Sequence, residues 1–294
     1  MNYNDEIIKA VNSAKNVNQL LEQTDLIAEK SELKENEIYV SAQTKENINE
    51  LKELIAKVSK LSKNQKPLVS DLLTEGDIVV LVIPIDEAAP KGRLILPQQM
   101  VIRDILDHHC MCICTQVEQL TDTLNSLSKK PKLVITDSQA FGKVSKLTPS
   151  DITMTSFSIL MARYKGDLKS LINGAAQLSE IKTGDKILIA EGCTHHRQCN
   201  DIGTVKMPAW IENFTNAKPQ YTFTSGGTFP EDLSQFKLIV HCGGCMLNEK
   251  EMKARMQKAN AQNIPIVNYG VAIAHMHDIL KRSLAPFPDI LKLL

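Results

Sequence analysis

The chain has 294 residues, of which 43% are hydrophobic, 23% charged and 4% aromatic, and its 34 basic side chains balance 34 acidic ones. Such a length holds two or three domains, and the composition is ordinary for a globular protein. A net charge of zero and so few aromatic rings give no basis for binding nucleic acid or an anionic membrane surface, and no apolar run approaches the ~18–20 residues needed to span a bilayer.

The first residues, Met1-Asn2-Tyr3-Asn4-Asp5-Glu6, are polar and acidic, unlike a signal peptide. A cytoplasmic location is therefore expected. In a reducing compartment the seven cysteines read as free thiols or metal ligands, not as a disulfide framework.

Residues 1–66 are rich in Lys, Glu and Asn and show helical periodicity. Ile7, Ile8, Val11 and Ala14 share one face, and Ile48, Leu51, Leu54, Ile55 and Val58 share another. Residues 37–40 between them are strand-like. A polar stretch over 60–67, ending in Pro67, reads as a linker. Beyond it the pattern alternates: a strand over 77–83, a helix opened by proline over 97–106, a strand over 109–116, a helix over 117–127 and a strand over 132–137. Alternation of this kind predicts a parallel sheet with right-handed crossovers. The loop after the first strand carries Lys91 and Arg93 and reads as a solvated turn. Cys110, Cys112 and Cys114 alternate along a strand, so they share a face but lie too far apart for one ion. They are expected in the core, as small hydrophobes. His108 and His109 are expected at a helix carboxyl end, where positive charge is welcome.

Further along, a helix is predicted over 167–179, a turn at Thr183-Gly184-Asp185 and a strand over 186–190. A helix over 208–213, a strand over 221–224 and another over 237–240 follow. Asn248 is placed to cap a helix over 249–261. A strand over 265–269 and a last helix over 271–283 complete a second α/β layer.

Two of these strands run directly into unusual segments. The first is Glu191-Gly192-Cys193-Thr194-His195-His196-Arg197-Gln198-Cys199; the second is His241-Cys242-Gly243-Gly244-Cys245. In a parallel sheet the residues past the carboxyl ends of strands line the ligand crevice. Cys193, Cys242, Cys245 and His195 would converge there, and the glycine pair lets backbone approach a bulky inorganic group. Thiolates select soft metals. The set suits structural zinc or a 4Fe–4S cluster, with a redox-active Cys-x-x-C as the third possibility.

Four motifs together carry a resemblance: residues 191–196, Asp201-Ile202-Gly203-Thr204-Val205-Lys206, residues 241–248, and Asn268-Tyr269-Gly270-Val271-Ala272-Ile273. They resemble HydF, the family of FeFe-hydrogenase maturation GTPases and scaffolds, over about residues 41–284. The resemblance implies an α/β fold in three parts: a remnant of a GTPase domain with its linker over 1–66, a parallel-sheet dimerisation domain over 67–150, and a smaller iron–sulfur cluster-binding domain over 151–294. In the first part, residues 37–48 resemble the last strand, Ser-Ala loop and closing helix of a GTPase. Thr24-Asp25-Leu26 stands where a base-recognition loop would be, without its Asn-Lys pair.

No G-x-x-x-x-G-K-S/T phosphate loop occurs in the sequence. Without that cradle GTP hydrolysis has no electrostatic basis, so the chain is expected not to be an enzyme. The resemblance makes Cys193, Cys242 and Cys245 cluster ligands. It leaves the fourth iron to His195, Glu191 or water, with His196 and His241 bonding to sulfur from outside the ligand set. Cys199 is expected beside the metal without a bond to it, and Arg197 and Lys206 are either anion contacts or surface charge. The implied role is a homodimeric carrier. It would bind a 4Fe–4S cluster, accept a transient di-iron precursor and pass it to apo FeFe-hydrogenase, with HydE and HydG as further partners. The alternatives that need no resemblance are a structural zinc domain and a Cys-x-x-C thiol oxidoreductase.

Overall fold

The computed structural model describes residues 38–41, 43–61, 66–85, 94–192, 201–292 and 294. They fall into two units, Met1–Lys66 and Pro67–Leu294. The apolar face over Ile7 to Ala14, Thr24-Asp25-Leu26, and Lys91 and Arg93 lie outside the described residues.

In the first unit Tyr39 and Val40 are buried, with a bridge at Tyr39. The buried Ser41 hydroxyl accepts the Thr44 N–H at 3.1 Å, and the Asn47 amide donates to the Tyr39 carbonyl at 2.9 Å. These bonds close a tight loop into helix α1, Ile48–Leu61, where Leu51 is buried.

The second unit holds two parallel sheets. The first is built from β1 (Ile78–Val82), α2 (Leu96–Asp107), β2 (Met111–Thr115), α3 (Leu120–Ser126), β3 (Leu133–Thr136), α4 (Phe141–Leu147), β4 (Thr153–Ser156) and α5 (Phe157–Lys165). Its strand order is β2-β1-β3-β4. Every residue of β1 and β3 is buried, as their unbroken apolar runs require of strands covered on both faces. The second sheet follows α6 (Leu168–Ala176) and is built from β5 (Lys186–Ala190), α7 (Met207–Thr215), β6 (Gln220–Thr224), β7 (Leu238–His241), α8 (Glu249–Ala261) and β8 (Ile266–Asn268). Its order is β6-β5-β7-β8. Helices α9 (Tyr269–Met276), α10 (Leu280–Ser283) and α11 (Pro288–Leu291) end the chain. All pairings are parallel, so the predicted α/β class holds in both layers.

Both sheets use one topology. The chain lays down a central strand, steps to one side, then returns past its start and continues the other way. The direction of progression therefore reverses between β1 and β3, and again between β5 and β7. One hydrophobic cluster runs through both layers, from Leu68 to Phe287. Two glycines set the closest approaches. A Cβ on Gly174 of α6 would stand 2.0 Å from the Ile266 carbonyl oxygen, and one on Gly270 of α9 would stand 2.2 Å from Ser158 Cβ of α5.

Several expectations are met in detail. Asn248 caps α8 through the Glu251 N–H, and the helix predicted from 167 begins there, with Asp167 accepting the Lys169 N–H. His108 sits at the carboxyl end of α2, its Nδ1 2.8 Å from the Asp104 carbonyl. Others are corrected. The short β4 was not legible, because Thr-Met-Thr-Ser passes into α5 without a turn, with Ser156 itself accepting the Ile159 N–H. The predicted last helix breaks at Asp278, whose φ is +57°. The three cysteines do not all enter the core: Cys110, just before β2, is buried, while Cys112 and Cys114 within β2 are half-buried and exposed. The cause is position. β2 is an edge strand, covered less than the strands beside it. Burial and then the neighbouring Cys114 push the Cys112 thiol up to about 12.

Among the described residues, no helix is long and apolar enough to cross a membrane.

Candidate metal centre

In an open parallel sheet, ligands gather outside the carboxyl ends of the strands where the order reverses. In the second sheet that point lies between β5 and β7. Their register pairs Ala190 with His241, so Glu191-Gly192 and Cys242 emerge side by side. Cys242 is fixed there by its own backbone, whose N–H donates to the Ala190 carbonyl at 2.8 Å.

The Cys242 sulfur accepts two backbone N–H groups, from Gly192 at 3.0 Å and from Gly244 at 3.4 Å. Such donors favour a thiolate over a thiol. Gly192 directly precedes Cys193 in the chain. A side chain at Gly192 would strike Leu247, 2.6 Å away, and one at Gly244, whose φ is +60°, would strike the Met252 sulfur at 2.5 Å. The positive φ at Gly244 favours glycine, and at Gly192 the Leu247 side chain would have to move to admit a Cβ. Among the described residues nothing lies within 4 Å of a Cβ placed on Gly243.

Lys165, at the end of α5, was missed by sequence reasoning. It is 8% exposed. Its ammonium donates to the carbonyls of Gly244 at 3.1 Å, Cys245 at 2.8 Å and Leu247 at 2.8 Å. Burial lowers its pKa, while Cys245 and Cys242 beside it act to raise it. The only hint in the sequence is a lysine closing an otherwise buried helical face of Phe157, Leu160 and Met161.

His241 is fully buried, and both ring nitrogens are engaged. Nδ1 donates to the Cys242 carbonyl at 2.8 Å, and Nε2 accepts from Arg255 at 3.2 Å. Burial above all holds its pKa down at about 4. The ring thus clamps the backbone of Cys242, where a bond to sulfur was expected. Arg255 of α8, 2% exposed, also bonds Glu251 at 2.8 Å and the Gly226 carbonyl at 2.7 Å.

Glu191 is 3% exposed. Its carboxylate lies with the Tyr269 hydroxyl over Gly203, where an added Cβ would stand 2.5 Å from Glu191 Oε1 and 2.4 Å from Tyr269 Oη. Burial first, then the Glu191 charge, push the Tyr269 pKa up. Three of the four motifs meet at this point. Asp201 opens the second motif by accepting the Thr204 N–H at 2.9 Å. Lys206 donates to Gln139 at 3.1 Å, a contact within the protein that the sequence did not suggest.

Among the described residues no three Cys, His, Asp or Glu are gathered as a metal group. Cys193 and His195, with His196, Arg197 and Cys199, lie outside the described residues. Of the expected ligands, Cys242 and Cys245 are described, both half-buried on one loop.

Two family models match the chain. The Hydrogen maturase F dimerization domain matches residues 68–166 and the Hydrogen maturase F tetramerization domain matches residues 169–286. The first takes in β1 to α5, the second α6 to α10. No curated protein matches the chain. The matched domains are ones of self-association, and together they cover well over half of the sequence. The chain belongs to the hydrogen maturase F family.

Proposed function

We propose that the chain is a homodimeric scaffold of FeFe-hydrogenase maturation. Cys193, Cys242 and Cys245 hold a 4Fe–4S cluster, and His195 is the candidate at the fourth iron. The cargo is a di-iron precursor, received in concert with HydE and HydG and passed to apo FeFe-hydrogenase. The reading assigns the chain no catalytic residue. One observation carries it: two backbone N–H groups aim at the Cys242 sulfur where the strand order reverses, and one of them belongs to Gly192, the neighbour of Cys193.

The residues present fit such a group. Two backbone N–H groups donate to the Cys242 sulfur, and its backbone is held by His241 and the sheet. Gly243 and Gly244 keep the loop free of side-chain bulk. Three thiolates and one weaker ligand suit a cubane with an exchangeable corner. When bound, the cluster supplies one iron whose outer ligand exchanges, which is what docking and release of a cargo require. Glu191 serves less well at that corner, because its carboxylate is buried beside Tyr269.

Anaerobic reconstitution of the 294-residue chain with ferrous iron and sulfide tests the reading. The expected product is brown, reducible by dithionite and holds about four irons per chain. Cys193→Ser, Cys242→Ser and Cys245→Ser should each lose the iron, and Cys112→Ser should keep it. A colourless protein with stoichiometric zinc would replace this reading with the structural one. A metal-free protein cycling a Cys242–Cys245 disulfide would replace it with thiol oxidoreduction.

A further inference from the structure

We propose that Lys165 is a positioning residue for the cysteine loop, pinning residues 244–247 from across the domain boundary and placing its positive charge beside Cys242 and Cys245. The charge half of this inference rests on the cluster reading above; the tether half does not.

An ammonium has three N–H donors. In Lys165 all three are spent on loop carbonyls, those of Gly244, Cys245 and Leu247. A segment of four residues is thereby held at three points by one side chain. Among the described residues the other bonds of the loop are local, the Leu247 N–H to the Gly244 carbonyl at 3.1 Å and the Gly244 N–H to the Cys242 sulfur. The partners of Lys165 among the described residues are carbonyls, not carboxylates. Cys245 and Cys242 lie beside the ammonium, so its positive charge stands next to two of the candidate ligands.

The placement also joins the two matched domains. Lys165 lies in the stretch matched by the dimerization model, and the loop lies in the stretch matched by the tetramerization model. The geometry of the candidate ligands is set in part by a helix that belongs to the other layer. Met256 of α8 lies against the next residue of that connection, 3.0 Å from a Cβ built on Gly166, so the lysine enters along a packed path.

The test compares the wild-type chain with Lys165→Met and Lys165→Arg. In the iron-free proteins, hydrogen exchange is read at the amides of residues 244–247. The expected result for Lys165→Met is exchange faster by about tenfold or more, since a bond to a charged donor is worth at least that factor. Exchange in β1 and β7 should stay unchanged. In the reconstituted proteins, Lys165→Met should lose iron faster to a chelator and be reduced at a more negative potential, because removing a nearby positive charge disfavours the added electron. Lys165→Arg keeps the charge and should restore the potential.

Wild-type exchange at residues 244–247 in Lys165→Met would overturn the tether. An unchanged potential in Lys165→Met, or a failure of Lys165→Arg to restore it, would overturn the role of the charge. If the wild-type chain takes up no cluster, the cluster reading falls and takes the charge half with it, while exchange alone still decides the tether. Should Lys165→Met not accumulate as a folded protein, Lys165→Gln, neutral and with two donors in place of three, carries the charge comparison in full and the exchange comparison with a smaller expected rise.

Discussion

Gly270→Ala is the sharpest probe of how the two layers meet. The added Cβ would stand 2.2 Å from Ser158 Cβ and 3.0 Å from the hydroxyl oxygens of Ser138 and Ser158. Carbon atoms in contact sit at about 3.5–4.0 Å, so α9 and α5 must part by more than ~1 Å. No flexible side chain is there to yield. Ser158 is on a helix capped by Ser156, its hydroxyl accepts from Ser138 at 3.0 Å, and its carbonyl faces the Asn268 amide. Overpacking of this kind costs about 1–3 kcal/mol. For a unit of this size each kcal/mol moves Tm by about 2–4 °C, so the melt should fall by roughly 3–10 °C. Ser158→Gly removes the struck carbon at a cost of about 1 kcal/mol of helix propensity. The double variant should then recover about 1–2 kcal/mol relative to the sum of the single losses. Thermal melts and urea midpoints of the four proteins decide the matter. A Gly270→Ala melt within about 1 °C of wild type, or a double variant no better than additive, would refute the packing argument.

Two further outcomes follow from buried polar groups. Arg255→Met removes the partner of His241 Nε2 and of the Gly226 carbonyl and should cost about 2–4 kcal/mol, read from the urea midpoint; a loss below about 0.5 kcal/mol would mean the guanidinium holds nothing. Cys112, its thiol pushed up to about 12 by burial and Cys114, should alkylate slowly, its rate still climbing above pH ~9, where an ordinary thiol has levelled off. The same shift makes the folded state hold a proton that the unfolded chain releases near pH ~8.5. The contribution to stability is therefore complete below that pH and lost as pH rises toward about 12. A plateau in the Cys112 alkylation rate near pH 9, followed by peptide mass analysis, would contradict the placement.

Local pattern determined a good deal here. The unbroken apolar runs around Val80, Val134, Leu188 and Ile239 announced strands, and all four residues are fully buried. Asp167 and Asn248 announced helix starts, because a cap is a short-range bond between a side chain and an amide two or three residues on. The four motifs announced the family. Long-range packing decided the rest. Which strands pair, and hence that β5 and β7 bring Gly192 against Cys242, depends on contacts some 50 residues apart, which periodicity does not record. The edge position of β2 left Cys114 exposed where alternation alone suggested burial. His241 and Lys165 took their partners from Arg255 and from the loop at Gly244 to Leu247, elements remote in the chain. Sequence pattern reports how each segment meets an average neighbour; only the fold supplies the particular neighbour, and hydrogen bonds to buried charge depend on that one.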